Sequence, residues 1–481
     1  MNNKKVFSNL IWRFMERCGA QVVSFVVSIV LARILEPELY GTIALITVIT
    51  SILQVFVDSG MANALIQKKD TDDLDYSSVF YFNVAFCLVL YIVLFFASPL
   101  ISRIYGSPDL VPVIRVLGLT IVVSGVKNVQ QAYVSKTMQF RRFFFSTLGG
   151  TLFSAVVGIT MAYRGFGIWA LVAQQLLNVT VNTVILWLTV GWKPKRMFSF
   201  QRLGGLVSYG WKLLASSLLD TVYLKLSQLV VGLKYTSTDL AYYNKGDQLC
   251  VLVVENINYS IDSVLLPVLS AEQDNRDHVR EMTRRAIKTS SYIMMPLMMG
   301  MAVCAEPLIR LLLTEKWLPC VPFMQIFCAV YAFYPLHTAN LNAIKAMGHS
   351  EIFLRLEIIK ELIGIGLLFA AMNIGVYAVA VSQLISGLIA LVINAWPNRR
   401  LLGYKLSGQL RDMLPALLLA CLMGVCIYPI GLLGLSDWLT LLIQVPLGIA
   451  IYVGSSVIFR VDSFSFMLDV LRRLTGRAAE E

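Results

Sequence analysis

Three charged side chains stand at the start of a stretch that otherwise suits lipid. Arg13, Glu16 and Arg17 fall in the first turns of the apolar segment 10–35. A charge at the bilayer centre costs about 2.5–3.5 kcal/mol on insertion scales, so such residues usually face a water-filled cavity or an oppositely charged partner. The chemistry that these residue types can do there is the reversible binding of a charged ligand.

Polar residues recur at helical spacing on four such stretches. On each stretch they return every three or four residues, so they share one face of the predicted helix. The four faces predict the walls of one water-filled cleft between two halves of the chain. Lys127, on a further stretch beside several amides, fits a cavity role or a packing role equally well. The four stripes are Arg13, Arg17, Gln21, Ser24 and Ser28; Thr47, Thr50, Gln54 and Asp58; Ser208, Lys212, Ser216, Asp220, Tyr223 and Ser227; and Asn244, Gln248, Glu255, Asn258 and Asp262.

A structural interpretation of these charges stays open. Arg13, Arg17 and Lys212 fall within a few residues of the predicted membrane edge, where long basic side chains extend toward lipid phosphates. Asp58 and Asp220 fall deeper, which favours the cavity, although polar residues also join neighbouring membrane helices by hydrogen bonds.

Composition defines the class of protein in which these charges occur. The chain has 481 residues, of which 57% are hydrophobic and 14% charged, with a mean hydropathy of +0.71. Soluble domains average about 25% charged residues. The net charge of +11 does not indicate nucleic-acid binding, because Lys and Arg accumulate in the cytoplasmic loops of membrane proteins. The sequence has no phosphate-binding GxxxxGK[ST] loop and no metal spacing among its histidines, so we expect no metal or cofactor.

The apolar stretches predict an all-α polytopic membrane protein with about 14 transmembrane helices. A spanning helix needs about 20 apolar residues. Lys and Arg concentrate in alternate loops, which predicts both termini in the cytoplasm. No loop is long enough for a separate catalytic domain, so we expect no enzymatic activity. The predicted spans are 10–33, 41–66, 78–104, 111–136, 143–164, 166–190, 206–233, 239–270, 286–314, 320–347, 352–374, 376–397, 411–433 and 436–459.

An internal repeat divides the chain. "GIWALVAQQL" at 167–176 resembles "GVYAVAVSQL" at 375–384, and Trp12–Arg13 has a counterpart in Trp211–Lys212. Six helices per copy place both copies in the same orientation, as in transporters whose substrate site lies between parallel repeats. The predicted division is an N-terminal six-helix lobe at 1–203, a C-terminal six-helix lobe at 204–405, two additional helices at 406–460 and a cytoplasmic tail at 461–481.

One acidic run permits two interpretations. "DTDDLD" at 70–75 contains the D-x-D spacing that holds a metal-bound nucleotide in glycosyltransferases. Because the loop is short and a predicted helix follows it, we favour a solvated turn and helix cap.

Several segments resemble a known family. They are similar to the polysaccharide-transporter branch, the Wzx-type flippases, of the multidrug/oligosaccharidyl-lipid/polysaccharide exporter superfamily. The resemblance implies two six-helix lobes around a cationic cavity, and movement of an undecaprenyl-pyrophosphate-linked oligosaccharide across the bacterial cytoplasmic membrane. A lipid II flippase and a cation-coupled multidrug antiporter, whose cavity would carry acids and aromatics, are the alternatives. The segments are "ERCGAQVVSFVVSIVLARILEPELYG", "QVFVDSGMANALIQKKD", "GIWALVAQQL", "YYNKGDQ" and "EKWLPCVPFMQIFC".

The resemblance also assigns roles and partners. It implies that Arg13 and Arg17 bind the pyrophosphate, and the repeat adds Lys212, with Lys127 as a further candidate. We expect membrane lipids and a lipid-linked oligosaccharide as partners, a polymerase and other polysaccharide-assembly proteins nearby, no nucleic acid, and a monomer. The driving force would be an ion gradient, the membrane potential or consumption of the product outside, and the hypothesis for an ion gradient is coupling to H⁺ or Na⁺. The candidate carboxylates for that ion are Glu16, Asp58, Asp220, Glu255 and Asp262.

Overall fold

The chain folds into helices joined by short connections. The computed structural model describes residues 3–58, 61–68 and 70–474, without the side chains of 3–11, 13–18, 209, 212, 259, 260, 262–264, 350 and 469–474. All regular structure within these ranges is helical, which confirms the predicted all-α class. The helices are α1 (Asn3–Ile34), α2 (Pro37–Asp58), α3 (Met61–Gln67), α4 (Asp73–Ile104), α5 (Leu110–Lys136), α6 (Phe140–Tyr163), α7 (Ile168–Thr189), α8 (Phe200–Lys234), α9 (Ser237–Ala271), α10 (Arg276–Val303), α11 (Ala305–Leu313), α12 (Val321–Ala332), α13 (Tyr334–Ala346), α14 (Ser350–Ala371), α15 (Val376–Leu401), α16 (Leu406–Gly431), α17 (Asp437–Ile458) and α18 (Asp462–Leu474), with a 3₁₀ segment at Glu315–Cys320.

The described residues contain fewer helices that are long and apolar enough to span a membrane than the fourteen predicted. Among the described residues, 10 helices are long and apolar enough to cross a membrane, or 11 if the bent pair α10–α11 is one span. The predicted spans 239–270 and 352–374 form the helices α9 and α14, but the charges in both sequences lower their hydropathy. In the first predicted span only Gly19–Ile34 counts as an apolar helix. The count of fourteen is therefore not confirmed.

The chain forms two compact units, Met1–Ala241 and Tyr242–Glu481. The first unit extends beyond the lobe boundary predicted after residue 203, because α8 packs against α2, α3 and α4. The division based on the repeat stays a prediction.

The same packing order occurs within each unit. In the first unit, α4 packs on α5, α5 on α7 and α6 on α7. In the second unit, α10 packs on α12 and α13, these two helices pack on α15, and α14 packs on α15. In the second unit, the two helices α12 and α13 take the place in this order that α5 alone has in the first unit.

Buried amides join three helices of the second unit. Asn340 on α13 donates to Oε1 of Gln409 on α16 at 2.7 Å, and Gln409 donates back to Oδ1 of Asn340 at 2.9 Å. Asn398 on α15 donates to the same Oδ1 at 2.7 Å. Reciprocal bonds of this kind satisfy polar groups that lipid cannot hydrate.

The acidic run at 70–75 forms a helix cap, as predicted. The Asp72 carboxylate accepts the backbone N–H of Asp75 at 2.9 Å, and the Asp75 carboxylate accepts the backbone N–H of Asp72 at 3.3 Å. Asp73 holds the connection between α7 and α8, because it pairs with Lys195 at 2.5 Å and accepts the indole N–H of Trp192 at 3.1 Å. No group of three potential metal ligands occurs in the described part of the chain.

Replacing the cap residue tests this arrangement. Asp72→Ala removes a side-chain cap worth about 1 kcal/mol, so we expect thermal unfolding of the purified protein to begin about 2–4 °C lower. Asp70→Ala is the matched control, since Asp70 is exposed in the same turn and does not cap the helix. Equal unfolding midpoints for the two variants would contradict the cap.

The cap also predicts a pH dependence. The hydrogen bond from the Asp75 backbone N–H holds the pKa of Asp72 below its ordinary value. The cap therefore stabilises the fold fully above about pH 4 and loses its effect as the pH falls through the lowered pKa. The difference in midpoint between wild type and Asp72→Ala should persist at pH 5 to 7 and shrink only in stronger acid.

Candidate functional site

A polar cavity lies within the first unit, among helices that span the membrane. Its volume is about 710 Å³, and it is bounded by α2, α5, α7 and α8. Hydroxyl and amide side chains dominate its wall, and only two of the lining residues are apolar. The lining residues are Thr50, Ser51, Gln54, Val55, Asp58, Thr120, Ser124, Lys127, Gln174, Gln175, Asn178, Val179, Ser217 and Thr221.

Asp58, the last residue of α2, is held at the cavity wall by two amides. Nε2 of Gln54, one turn earlier on the same helix, donates to Oδ2 of Asp58 at 3.0 Å. Nδ2 of Asn128 on α5 donates to Oδ1 at 3.2 Å. The carboxylate is oriented by both bonds and remains accessible from the cavity.

Lys127 brings a positive charge to the same cavity. It precedes Asn128 on α5, is half-buried, and its charge acts on Asp58. It forms no ion pair or hydrogen bond with another described residue. An ammonium group so placed can donate three hydrogen bonds to an anionic or hydroxylated ligand.

Two glutamines of α7 add hydrogen-bonding capacity. Gln174 and Gln175 both line the cavity, and neither side chain bonds to another described residue. Asn178, one turn further along, is oriented by weak bonds to Thr151 and Ser154 of α6, at 3.3 and 3.4 Å. Each free amide offers two donors and one acceptor to a ligand.

The position of α7 depends on a close approach to α6. A Cβ atom on Gly150 of α6 would lie 2.8 Å from the Asn178 carbonyl oxygen and 3.2 Å from the Asn182 nitrogen. Only glycine leaves room for the α7 backbone at this point, as is common where membrane helices pack tightly. This contact sets the distance between α6 and the helix that carries Gln174 and Gln175.

The structure brings some of the predicted site residues together. Asp58 and Lys127 line the cavity, and Thr50 and Gln54 of the same predicted stripe line it as well. Asp220 on α8 and Glu255 on α9 are exposed and are not among the lining residues. The remaining candidates lie outside the described side chains, and their roles stay predictions: Arg13, Glu16, Arg17, Lys212 and Asp262.

Sequence reasoning missed eight of the polar lining residues, on four helices: Ser51 on α2, Thr120 and Ser124 on α5, Gln174, Gln175 and Asn178 on α7, and Ser217 and Thr221 on α8. On α8 the lining residues are Ser217 and Thr221, each one position after a member of the predicted stripe. One position is about 100° around a helix, and the shift follows from how α8 packs on α2, which the sequence does not encode locally. Gln174 and Gln175 occur in the "GIWALVAQQL" repeat segment, so the signal for them was present.

The fold and the cavity define a multi-pass membrane protein with a polar cavity among its apolar helices. The chain belongs to the polysaccharide biosynthesis protein family, which residues 30–322 match.

Individual relatives agree with this assignment. The chain is 22% identical over 487 residues to the succinoglycan biosynthesis transport protein ExoT of Rhizobium meliloti (strain 1021), covering 100% of this chain and 98% of that protein. It is 27% identical over 308 residues to the lipopolysaccharide biosynthesis protein WzxC of Escherichia coli (strain K12), covering 63% of this chain and 62% of that protein.

A solved structure has the same fold. The lipid II flippase MurJ in an inward closed conformation superposes with a TM-score of 0.77, covering 94% of this chain and 99% of that one. The sequences are only 17% identical, so this likeness concerns the fold alone.

A pair of adjacent glycines tests the contact that positions α7. Gly150→Ala forces a methyl group against the α7 backbone, so we expect a loss of about 1–3 kcal/mol. In Gly149→Ala the new Cβ meets only the flexible end of Ile185, at 2.7 Å. That change should be neutral or stabilising, because alanine favours helix over glycine. Thermal unfolding of the two variants measures the difference, and equal midpoints would contradict the proposed contact.

Proposed function

We propose that this protein is a flippase that moves a lipid-linked oligosaccharide repeat unit across a bacterial cytoplasmic membrane for surface polysaccharide synthesis. The observation that carries the proposal is the cavity of the first unit, where Lys127, Gln174 and Gln175 line a polar space and form no side-chain hydrogen bond with another described residue. Membership of the polysaccharide biosynthesis protein family supports it.

The lining of the cavity suits a glycan. Sugar hydroxyls both donate and accept hydrogen bonds, and the amides and hydroxyls of the wall do the same. A hydrated glycan that leaves water loses its hydrogen bonds, and a wall of this kind replaces them, which lowers the barrier to crossing the hydrocarbon. The prenyl chain needs no such replacement, because it stays in the lipid. No covalent step is required.

Lys127 gives the cavity an anion-binding group. A pyrophosphate or an acidic sugar that enters would gain charge-assisted hydrogen bonds from its ammonium group. In this proposal Arg13, Arg17 and Lys212 act with it on the pyrophosphate, as the family resemblance implies.

The alternative of a multidrug antiporter fits the lining less well. Among the described residues that line the cavity, none is aromatic, and a lysine faces the single carboxylate. Flat organic cations bind best to aromatic faces and acids. A lipid II flippase also needs an anion-binding cavity. The two functions are therefore distinguished by comparing the transport of lipid II with that of the lipid-linked oligosaccharide.

Transport assays with charge-neutralised variants test the proposal. Lys127→Gln should lower the rate of lipid-linked oligosaccharide translocation in proteoliposomes at least about tenfold, because a charge-assisted hydrogen bond contributes about 1.5–3 kcal/mol. Lys127→Arg should retain most of the rate. Lys193→Gln, at an exposed position away from the cavity, is the control.

The same variants should act in cells. A strain without its own copy should regain surface polysaccharide with wild type and Lys193→Gln, but not with Lys127→Gln. Unchanged transport by Lys127→Gln, or faster transport of lipid II than of the oligosaccharide carrier, would overturn the proposed function.

We also propose that Asp58 couples transport to H⁺ or Na⁺. Its carboxylate is oriented by Gln54 and Asn128 and open to the cavity, so a proton or cation can reach it. Asp58→Asn should make the rate independent of an imposed H⁺ or Na⁺ gradient, whereas Asp109→Asn, at an exposed helix start, should leave the dependence intact. A wild-type rate that ignores both gradients would contradict this coupling.

A further inference from the structure

A second cavity lies in the other unit. Its volume is about 610 Å³, and it is formed by the middle of α10, residues 411–422 of α16, the residues that follow α17 and the start of α18. One part of its wall is charged and the other is aliphatic. The lining residues are Lys288, Arg411, Asp412, Leu414, Pro415, Ala416, Leu418, Leu419, Leu422, Phe459, Arg460, Val461, Asp462 and Ser463.

The acids of this wall already have partners. Asp412 accepts two hydrogen bonds from Arg284, at 2.7 and 2.8 Å, and one from the Tyr404 hydroxyl at 2.7 Å. Lys288 lies between the two carboxylates, 3.7 Å from Asp412 and 3.1 Å from Asp462. The negative charges of Asp412 and Asp462 are therefore balanced by Arg284 and Lys288.

Two arginines of the wall form no ion pair with the described side chains. Arg411 precedes Asp412 on α16, and Arg460 follows α17 in a left-handed backbone conformation with φ +48°. Both are exposed, and neither forms an ion pair with any residue in the described part of the chain. The cavity thus presents two guanidinium groups, each able to bind phosphate oxygens through two parallel hydrogen bonds.

The aliphatic part extends away from these arginines along α16. Leu414, Leu418 and Leu422 follow one another at intervals of four residues and are 45%, 58% and 42% exposed. Eight helical residues rise about 12 Å, which is close to the acyl depth of one leaflet in a hydrocarbon core about 30 Å thick. Phe459, 66% exposed, closes one side of the row.

We propose that this cavity is a binding site for an anionic glycerophospholipid of the surrounding bilayer. Arg411 and Arg460 bind the phosphodiester, and an acyl chain lies along the Leu414–Leu418–Leu422 row. Basic pockets between membrane helices bind anionic headgroups in this way. A soluble phosphate would bind the arginines but leave the leucine row exposed. A second copy of the chain, docked through the same face, would place its own two arginines against Arg411 and Arg460, and the like charges would repel. A zwitterionic lipid carries a cation that the arginines repel.

Lipid titration of the purified full-length protein tests the site. Phosphatidylglycerol, added in detergent, should raise the unfolding temperature and appear as bound lipid in native mass spectra, and phosphatidylcholine with the same acyl chains should do neither. The double variant R411Q/R460Q should bind phosphatidylglycerol about thirtyfold more weakly, from about 1 kcal/mol per basic residue.

Two controls separate this site from general attraction of lipid to basic loops. R399Q/R400Q removes the same charge at exposed positions outside the cavity and should bind phosphatidylglycerol as wild type does. L418W, which fills the apolar part, should weaken binding while leaving both arginines in place. Glycerol phosphate alone should not stabilise the protein.

Three results would overturn the proposal. They are equal loss of binding in the two double variants, unchanged binding in R411Q/R460Q, and stabilisation by glycerol phosphate that matches stabilisation by phosphatidylglycerol. Unfolding midpoints without added lipid show whether each variant folds, and L418W keeps the test decisive if R411Q/R460Q does not.

Discussion

A carboxylate inside a membrane protein must be compensated by its neighbours, and the first unit is arranged around that requirement at Asp58. Gln54 supplies one hydrogen bond from the same helix and Asn128 supplies another from α5, while the charge of Lys127 lies nearby. Gln54, Asp58 and Lys127 also line the cavity, whereas Asn128 is buried behind them. Asp58 is thus stabilised by its neighbours without being sealed off from the cavity. The charges of Asp58 and Lys127 both remain accessible to a ligand.

The two units differ in how their amide side chains are hydrogen-bonded. In the first unit, Gln174 and Gln175 face the cavity with no partner among the described residues. In the second unit, Asn398 and Gln409 both bond to Asn340, and all three amides are buried among helices. The amides of the first unit thus remain open to the cavity, whereas those of the second unit join helices.

The sequence predicts the helices better than it predicts their faces. Hydropathy and repeat pattern placed the apolar helices and the polar stripe of α2, because both depend on local composition. The lining residues of α8 each lie one position after the predicted ones. The rotation of a helix about its own axis is set by the helices it packs against, which the local sequence does not specify. The cap at Asp72 was predictable from a short polar run before a helix. The side chains of Arg13, Glu16 and Arg17 lie outside the described part of the structure. Their role in the site is therefore predicted from the sequence alone.

The packing of α8 on α2, α3 and α4 has a consequence for synthesis. Chains fold from the N-terminus as they emerge from the ribosome, and α8 supplies Ser217 and Thr221 to the wall of a cavity built otherwise from α2, α5 and α7. Until α8 has been inserted, the cavity that holds Asp58 and Lys127 lacks the part of its wall that Ser217 and Thr221 supply. Helices α1–α7 alone are therefore an unfinished unit, and the binding cavity is completed only by a helix that follows the predicted N-terminal lobe.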